Sequence, residues 1–359
     1  MSQGLDARIV VRRSEDFTLQ LDLFIPPGRT VALLGPNGAG KSTAVAALAG
    51  LLPLDSGRIE LSGRVLDDPV AGIFVPPESR RVGVVFQDAL LFPHMTVLEN
   101  VAFGLRALGV GRHEARGRAR EWLGRLGLEG LDVRRPGELS GGQAQRVGLA
   151  RALAPEPGIL LMDEPLSALD VTRRAEIRRV LTEHLTDFPG PRLVITHDPA
   201  EAFQLADEIH LLEGGVVTQV GSADDIRLTP RTAYAADLGG SNFFVGTARQ
   251  GQVEIQGFTV AVADREIQGP VRVSIPPAAV SVHRDRPGGS PRNRWRTTLE
   301  RVEDDGLRAR LLTGPPLPLM IQVTPEALRE LELRTGAEVW VSVKASEVRV
   351  ERRFDAGRA

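Results

Sequence analysis

The stretch from Thr30 to Leu51 limits what this chain can fold into more than any other part. Thr30-Val31-Ala32-Leu33-Leu34 is a short continuous apolar run, the pattern of a strand buried on both faces of a parallel sheet. It enters Gly35-Pro36-Asn37-Gly38-Ala39-Gly40-Lys41-Ser42-Thr43, and an Ala/Leu-rich helix is predicted from about Lys41 to Leu51. The segment satisfies G-x-x-x-x-G-K-[ST] in the strand, loop, helix context that this pattern requires. Glycines let backbone N–H groups turn inward around phosphate oxygens, and the helix N-terminus adds its dipole. In such a loop Lys41 reaches the β- and γ-phosphates and Ser42 offers a hydroxyl to Mg²⁺.

The rest of the chain must supply a sheet for that loop. Buried-strand runs recur at Val82–Phe86, Ile159–Met162 and Leu193–Thr196, separated by helical stretches, which predicts a mainly parallel sheet covered by helices. Ala7 to Arg13 and Thr18 to Phe24 alternate apolar and polar instead, as half-buried antiparallel strands do. A helical insertion runs from about Thr96 to Ala154, opened by Thr96 and Glu99 as a capping box for a helix through Leu108. Ile159-Leu160-Leu161-Met162-Asp163-Glu164-Pro165 is an apolar strand ending in two carboxylates, of which Asp163 suits Mg²⁺ and Glu164 suits the polarisation of an attacking water. The predicted fold is therefore an α/β P-loop ATPase core, a parallel sheet with an antiparallel β subdomain and a helical insertion.

The chain has 359 residues, room for two or three domains at roughly 100–200 residues each. Beyond Tyr234 its character changes. Asp237-Leu238-Gly239-Gly240-Ser241-Asn242 reads as a linker, and then short β segments alternate with turns at Val253–Ile255, Val271–Ile275, Val280–Val282, Arg308–Leu312, Met320–Val323 and Glu338–Val343. With one short helix, Pro325 to Leu331, this predicts a C-terminal all-β domain like an OB barrel, divided near Pro287-Gly288-Gly289 into two halves. The domain boundaries drawn are 1–236 for the ATPase, with its helical part at about 88–155, then 242–286 and 287–352.

Composition removes other classes. Lys+Arg of 44 against Asp+Glu of 46 gives a formal charge of −2, which lacks the excess that nucleic-acid binders use against phosphates, so no nucleic-acid partner is expected. The absence of Cys excludes disulfides, thiolate metal sites and cysteine nucleophiles. No run approaches ~18 apolar residues and the first residues lack a basic-then-apolar pattern, so neither a membrane span nor an export address is expected. Lys41 and Lys344 are the two lysines among 44 basic residues, and an ammonium is not interchangeable with a guanidinium at a tight anion site.

Further motifs follow the phosphate loop in a specific order: Gln87 in Val85-Phe86-Gln87-Asp88, then Leu139-Ser140-Gly141-Gly142-Gln143, then Asp163-Glu164, Ser167-Ala168-Leu169-Asp170 and Ile195-Thr196-His197-Asp198. This series, over about residues 1–235, resembles the ATP-binding-cassette (ABC) ATPase family. The resemblance implies a head-to-tail homodimer with two ATP molecules between the chains. Each would contact the Gly35 to Thr43 loop of one chain and Ser140, Gly141, Gly142 and Gln143 of the other, with Asp170 acting across the interface. Gln87 would sense Mg²⁺ and water, His197 would contact the γ-phosphate, and Phe17 would stack on adenine. Relatives more often have Tyr at the Phe17 position and a basic residue at Ala144.

One set of motifs without a membrane span resembles the separate ATPase subunit of an importer, peripheral on the cytoplasmic side of the membrane. Such a subunit works with permease chains and, through them, an external substrate-binding protein. Ala89-Leu90-Leu91-Phe92-Pro93-His94-Met95 either receives a short permease helix or packs as core of the helical insertion. Asn242-Phe243-Phe244-Val245-Gly246 resembles the start of the regulatory (TOBE) barrel of importer ATPases. Ser290-Pro291-Arg292-Asn293, with Val323-Thr324 and Val343-Lys344-Ala345-Ser346, resembles a molybdate-binding barrel. The implied oxyanion ligands are Ser290, Arg292, Asn293, Lys344 and Ala345, although Pro291 lacks the N–H of the usual Ala. The expected activity is ATP hydrolysis driving import of molybdate and also tungstate. The same ATPase serving ferric iron, sulfate or another solute stays open, as does an oxyanion sensor or store.

Overall fold

The structure, a computed structural model, describes residues 4–87, 89–165 and 188–353; Asp88 and the whole Ser167–Asp170 motif lie outside the described residues. Contacts divide the chain into two compact units between Ala223 and Asp224.

The first unit is built on a sheet whose strands are β1 Leu5–Arg12, β2 Thr18–Ile25, β3 Thr30–Leu34, β4 Ser56–Leu61, β5 Arg64–Asp68, β6 Ile73–Phe74, β7 Val82–Val85, β8 Ile159–Asp163, β9 Arg192–Thr196, β10 Glu208–Glu213 and β11 Val216–Gly221. Their order is β6-β5-β4-β1-β2-β11-β10-β3-β9-β8-β7. β7, β8, β9, β3 and β10 run parallel, in that spatial order, whereas β1, β2, β4, β5 and β6 pair antiparallel. The hydrophobic patterns match the division. Every residue of β3 and β9 is buried, and β1 and β2 bury alternate residues, as a sheet with one covered face requires.

Helices α1 Lys41–Ala49, α2 Val97–Ala107, α3 Arg112–Arg125 and α4 Gly141–Leu153 complete the part that bears the motifs. α2 begins where its capping box predicts. The Glu99 N–H donates to Thr96 Oγ1 at 3.2 Å, and the Thr96 N–H donates to Glu99 Oε2 at 3.0 Å. α4 has the same device in Ser140 and Gln143, so its first turn already includes Gly141 to Gln143. α2, α3 and α4 share one apolar cluster with β7, β8 and β9, and α1 packs in a second with the antiparallel strands.

A buried arginine ties α1 to that antiparallel region. Arg80, whose side chain is 0% exposed, donates to the carbonyls of Ala47 and Leu48 at the end of α1, at 2.7 and 3.2 Å. It also donates to Val75 O at 2.6 Å and to Asp67 Oδ2 at 3.2 Å. α1 has no basic residue in its own last turn, so this guanidinium supplies the positive charge that a helix C-terminus favours. Burial raises the Asp67 carboxyl from its ordinary range, and the Arg80 hydrogen bond opposes that rise. Arg80→Met removes the guanidinium that donates to Asp67 and to three carbonyls. Removing one partner of a buried pair costs about 3–5 kcal/mol, and urea unfolding followed by the signal of this unit should show a loss of that size, whereas Arg8→Met, at an exposed pair, should shift it by less than about 1 kcal/mol.

The second unit corrects the linker reading. Ala233–Gly239 is helical, its first turn capped by Thr232 and its end by Gly240 at φ 65, so the Gly239-Gly240 pair is a helix stop and not a tether. Strands β12 Asn242–Arg249, β13 Gln252–Ile255, β14 Phe258–Ala261, β15 Gly269–Ile275, β16 Ser281–His283, β17 Asn293–Asp304, β18 Ala309–Thr313, β19 Met320–Val323, β20 Glu338–Val343 and β21 Arg349–Arg352 follow. They form two five-stranded sheets, β14-β13-β12-β15-β21 and β16-β20-β17-β18-β19, with antiparallel pairing throughout.

The sheets follow one plan, and each takes its edge strand from the other half of the chain. β16 lies before Pro287-Gly288-Gly289 yet pairs with β20, while β21 returns to pair with β15. One apolar cluster spans both sheets, with Val273 and Ile275 alongside Leu311, Val339 and Val341. The apolar core thus runs on through the expected division at Pro287. Two asparagines repeat the plan in detail. Asn242, first in β12, accepts from Met320 N at 2.6 Å and donates to Met320 O at 2.9 Å. Asn293, first in β17, makes the same pair with Ala261 at 2.6 and 2.9 Å.

Candidate functional site

The phosphate loop leaves β3 with Gly35 pressed on the main chain, where a Cβ would stand 2.2 Å from the Leu212 carbonyl oxygen. Gly40, at φ 108, is the residue before α1, and a Cβ there would meet the Phe17 ring at 3.0 Å. Glycine at these two places is a steric requirement. Lys41 is 8% exposed and donates to Gly35 O at 2.7 Å and Pro36 O at 3.0 Å, so its ammonium spans the loop. Burial pushes the Lys41 pKa down from its ordinary value, opposed by the charges of Glu164 and Asp163.

Those carboxylates close the other side. A cleft of about 320 Å³ is lined by Arg13, Phe17, Asn37 to Thr43, Asp163 and Glu164. Burial, then the neighbouring Glu164, raises the Asp163 carboxyl above its ordinary range, and Lys41 opposes the rise. A hydroxyl at Ser42 and a carboxylate at Asp163, facing one cleft, are the hard oxygen donors that suit Mg²⁺, an ion that takes one or two protein ligands and completes its shell with phosphate oxygens and water.

Glu164 sits just past β8 with φ 48, a left-handed conformation uncommon for a non-glycine residue and often found where function demands it. Its N–H donates to Ile195 O at 2.7 Å, which fixes the turn against β9. His197 Nδ1 lies 3.0 Å from Glu164 Oε1. His197 is held from both sides. The buried Thr196 hydroxyl donates to Glu201 at 2.5 Å and accepts from Asp198 N at 3.0 Å, while Asp198 caps the helix Pro199–Leu205 through Ala200 N at 2.9 Å.

Phe17 lies between the phosphate loop and Gly215, at which a Cβ would be 3.4 Å from the ring. Arg13 was not foreseen. It belongs to the turn between β1 and β2, where its N–H donates to Phe17 O at 2.9 Å; its only local signal was a basic pair, Arg12-Arg13, a few residues before Phe17. Gln87, Ser140, Gly141, Gly142 and Gln143 do not line this cleft. Gln87 and Ser140 are exposed, the latter at the open N-terminus of α4.

The segment after Gln87 is part buried and part exposed. Ala89 is 3% exposed, whereas Leu90 is 56% exposed. Leu90 and Phe92 line an apolar groove of about 510 Å³ together with Val84, Phe86, Phe103 and Leu108.

In the C-terminal unit Ser290, Arg292 and Lys344 are exposed and Ala345 is half-buried. The pairing of Asn293 with Val343 puts Arg292 and Lys344 at neighbouring strand ends. Asn293 has its side-chain amide engaged with Ala261, accepting from Ala261 N and donating to Ala261 O. The Thr324 hydroxyl is likewise engaged, accepting from Ala327 N at 3.2 Å as a helix cap.

Comparison with known proteins agrees with this geometry. A family model described as "ABC transporter" matches residues 19–167, and one described as "TOBE domain" matches residues 289–350. The chain is 40% identical over 346 residues to the molybdenum import ATP-binding protein of Mycobacterium tuberculosis, covering 93% of this chain and 94% of that protein. The chain belongs to the ABC transporter ATPase family. It is also 41% identical to the Fe(3+) ions import ATP-binding protein of Brucella abortus, over 78% of this chain and 80% of that one. A spermidine/putrescine import ATP-binding protein of Roseobacter denitrificans is 37% identical over 97% of each chain. Among solved structures, a chain of an ABC transporter complex from Clostridium perfringens superposes with TM-score 0.55 and 30% identity, over 63% of this chain and 91% of that one. The chain is accordingly an ATP-hydrolysing import subunit of an ABC complex, which implies permease partners, and among the described residues no helix is long and apolar enough to cross a membrane.

Proposed function

We propose that this subunit energises uptake of molybdate, with tungstate as an alternative cargo, from the cytoplasmic side of the membrane as a homodimer. The observation that carries the cargo is the 40% identity to the molybdenum importer subunit across nearly the whole of both chains. Lys344 and Arg292 at neighbouring strand ends support it, because a single ammonium and a guanidinium suit a small dianion. Uptake of labelled molybdate, ferric iron and putrescine in cells lacking the gene tests the reading: molybdate uptake alone should fall. Normal molybdate uptake with loss of another solute would reassign the cargo.

Within the ATP site the loop N–H groups and Lys41 hold the phosphates, and Phe17 stacks on the adenine. Ser42, Asp163 and Gln87 would hold Mg²⁺, which when bound neutralises charge on the phosphate oxygens. Glu164 accepts the proton of the attacking water, and His197, 3.0 Å away, orients that carboxylate and faces the γ-phosphate. Ser140, Gly141, Gly142 and Gln143 lie outside their own cleft and serve the partner's ATP, where the α4 N-terminus adds donors to the γ-phosphate; Asp170 acts across the same interface. The groove lined by Leu90, Phe92 and Phe103 receives a short apolar permease helix, and an external binding protein delivers cargo to the permease.

The C-terminal unit carries a separate expectation. Tungstate titrated into the purified chain should bind with a measurable heat that salt weakens and that Lys344→Ala reduces at least about tenfold in affinity, since a charge-assisted bond is worth ~1.5–3 kcal/mol. No heat with the unaltered chain would leave this unit as a dimer contact only.

A further inference from the structure

A single side chain holds the loop that carries Ser290 and Arg292. Arg294, half-buried in β17, donates from Nε to Pro291 O at 2.7 Å, from Nη1 to Pro287 O at 2.9 Å and from Nη2 to Gly289 O. No carboxylate pairs with it among the described residues, so its charge is met by the carbonyls of three alternate residues. Each of these carbonyls shares a planar trans peptide with the N–H of the next residue, and the two groups of such a peptide point opposite ways. Turning the carbonyls of Pro287, Gly289 and Pro291 onto Arg294 therefore turns the N–H groups of Gly288, Ser290 and Arg292 away from it.

A row of outward N–H groups favours an anion, and the side chains beside it have the matching sign. The pairing of Asn293 with Val343 sets Arg292 and Lys344 at neighbouring strand ends. Pro291 withholds an N–H only from the Ser290–Pro291 peptide, whose carbonyl Arg294 does not hold, so the proline removes none of the three. The matching place in the other sheet lacks this device. There Asn242 pairs with Ile275, so Phe243 stands for Arg294, Ser241 for Arg292 and Pro276 for Lys344. Pro276 and Lys344 each precede a short 3-10 turn, which fixes the correspondence.

We propose that Arg294 is a positioning residue for a single oxyanion site in this unit. It orients the Ser290 and Arg292 N–H groups that, beside Lys344, take a small dianion, and the matching place around Asn242 holds no second site. Arg294 lies outside the Ser290–Asn293 motif and acts through the three carbonyls it holds, without touching the anion. This rests on the oxyanion reading of the C-terminal unit above.

The test is calorimetric titration of tungstate into the full chain, with melting temperature and ATP affinity as measures of an intact fold. The parent should bind no more than one tungstate per chain. Arg294→Met should weaken that binding about tenfold or more, the worth of one or two charge-assisted hydrogen bonds, and keep ATP affinity within about twofold. Arg294→Lys should recover part of the loss, since an ammonium still reaches one carbonyl. Arg296→Met removes an equal charge two residues on, at an exposed pair with Glu338, and should change tungstate affinity by less than about threefold. Gly289→Ala keeps every charge but strains a residue at φ 84, and should weaken binding in the same direction as Arg294→Met. Tungstate should also shift the amide-proton resonances of Ser290 and Arg292 in the parent, and far less in Arg294→Met. Equal affinity in parent and Arg294→Met overturns the positioning role. So does an equal loss in Arg296→Met, or a loss in Arg294→Met that Lys does not relieve. Two tungstates per chain overturn the single site. A parent that binds none overturns the oxyanion reading and this inference with it.

Discussion

Replacing Glu164 with Gln is expected to leave ATP bound and to cut hydrolysis by about 10²-fold or more, the usual contribution of a positioned general base. The substitution is nearly isosteric, and the left-handed turn at φ 48 with its N–H to Ile195 O is a main-chain feature that Gln can keep. The loop, Lys41 and Ser42 are untouched, so the affinity should stay within a few-fold. What changes is the acceptor for the water's proton, 3.0 Å from His197 Nδ1. If turnover reopens the proposed homodimer, the variant should also accumulate as an ATP-bound dimer, seen as a doubling of mass by light scattering with ATP and Mg²⁺ and its absence with ADP. Near-normal turnover would remove Glu164 from its role and leave the His197 pair as a structural contact.

The second large effect tests the proposed shared site by separating its two halves. Lys41→Ala should abolish turnover and weaken ATP binding, because the cleft loses the cation that spans Gly35 and Pro36 and no second lysine exists in this unit to replace it. Ser140→Arg is different. Ser140 is exposed and outside its own cleft, so an isolated subunit should bind ATP normally, with only the lost cap to Gln143 costing α4 ~1 kcal/mol. A bulky cation at that helix N-terminus should nevertheless block the closed dimer. Mixed dimers of the two variants contain one site with both Lys41 and Ser140 intact, and should recover measurable ATPase where neither variant alone has any. Loss of ATP binding by monomeric Ser140→Arg would sink the shared-site arrangement.

Much of the ATP site was legible because its chemistry is local. Gly35 to Thr43 and the flanking β3 and α1 lie within some twenty consecutive residues, and the capping box at Thr96 needs four. The strand periods were equally readable: full burial in β3 and β9, alternation in β1 and β2. β17 was missed because its alternating residues include Arg, Thr and Glu, and its register shifts between Leu299 and Arg301. The linker reading of Asp237–Asn242 failed on a glycine pair that ends a helix, since glycine signals both a stop and a tether.

The features that only the folded chain reveals share one physical cause: they join residues far apart in sequence whose partners are main-chain atoms. Asn293 looks from its motif like a ligand for an anion, and its amide also ties β17 to Ala261, 32 residues away. Arg80 caps α1 across 33 residues and Arg151 clamps Ala89 across 62, and nothing in the residue types at either end announces the contact, because every residue offers a carbonyl. Residue pattern dictates which segments are strands, helices and phosphate loops, since each encodes its own hydrogen bonding and its own buried face. Which carbonyls, strands and buried cations then meet is decided by topology, when the sheet order β2-β11-β10-β3 and the exchange of β16 and β21 bring distant main chain together and burial leaves each polar group to find a partner.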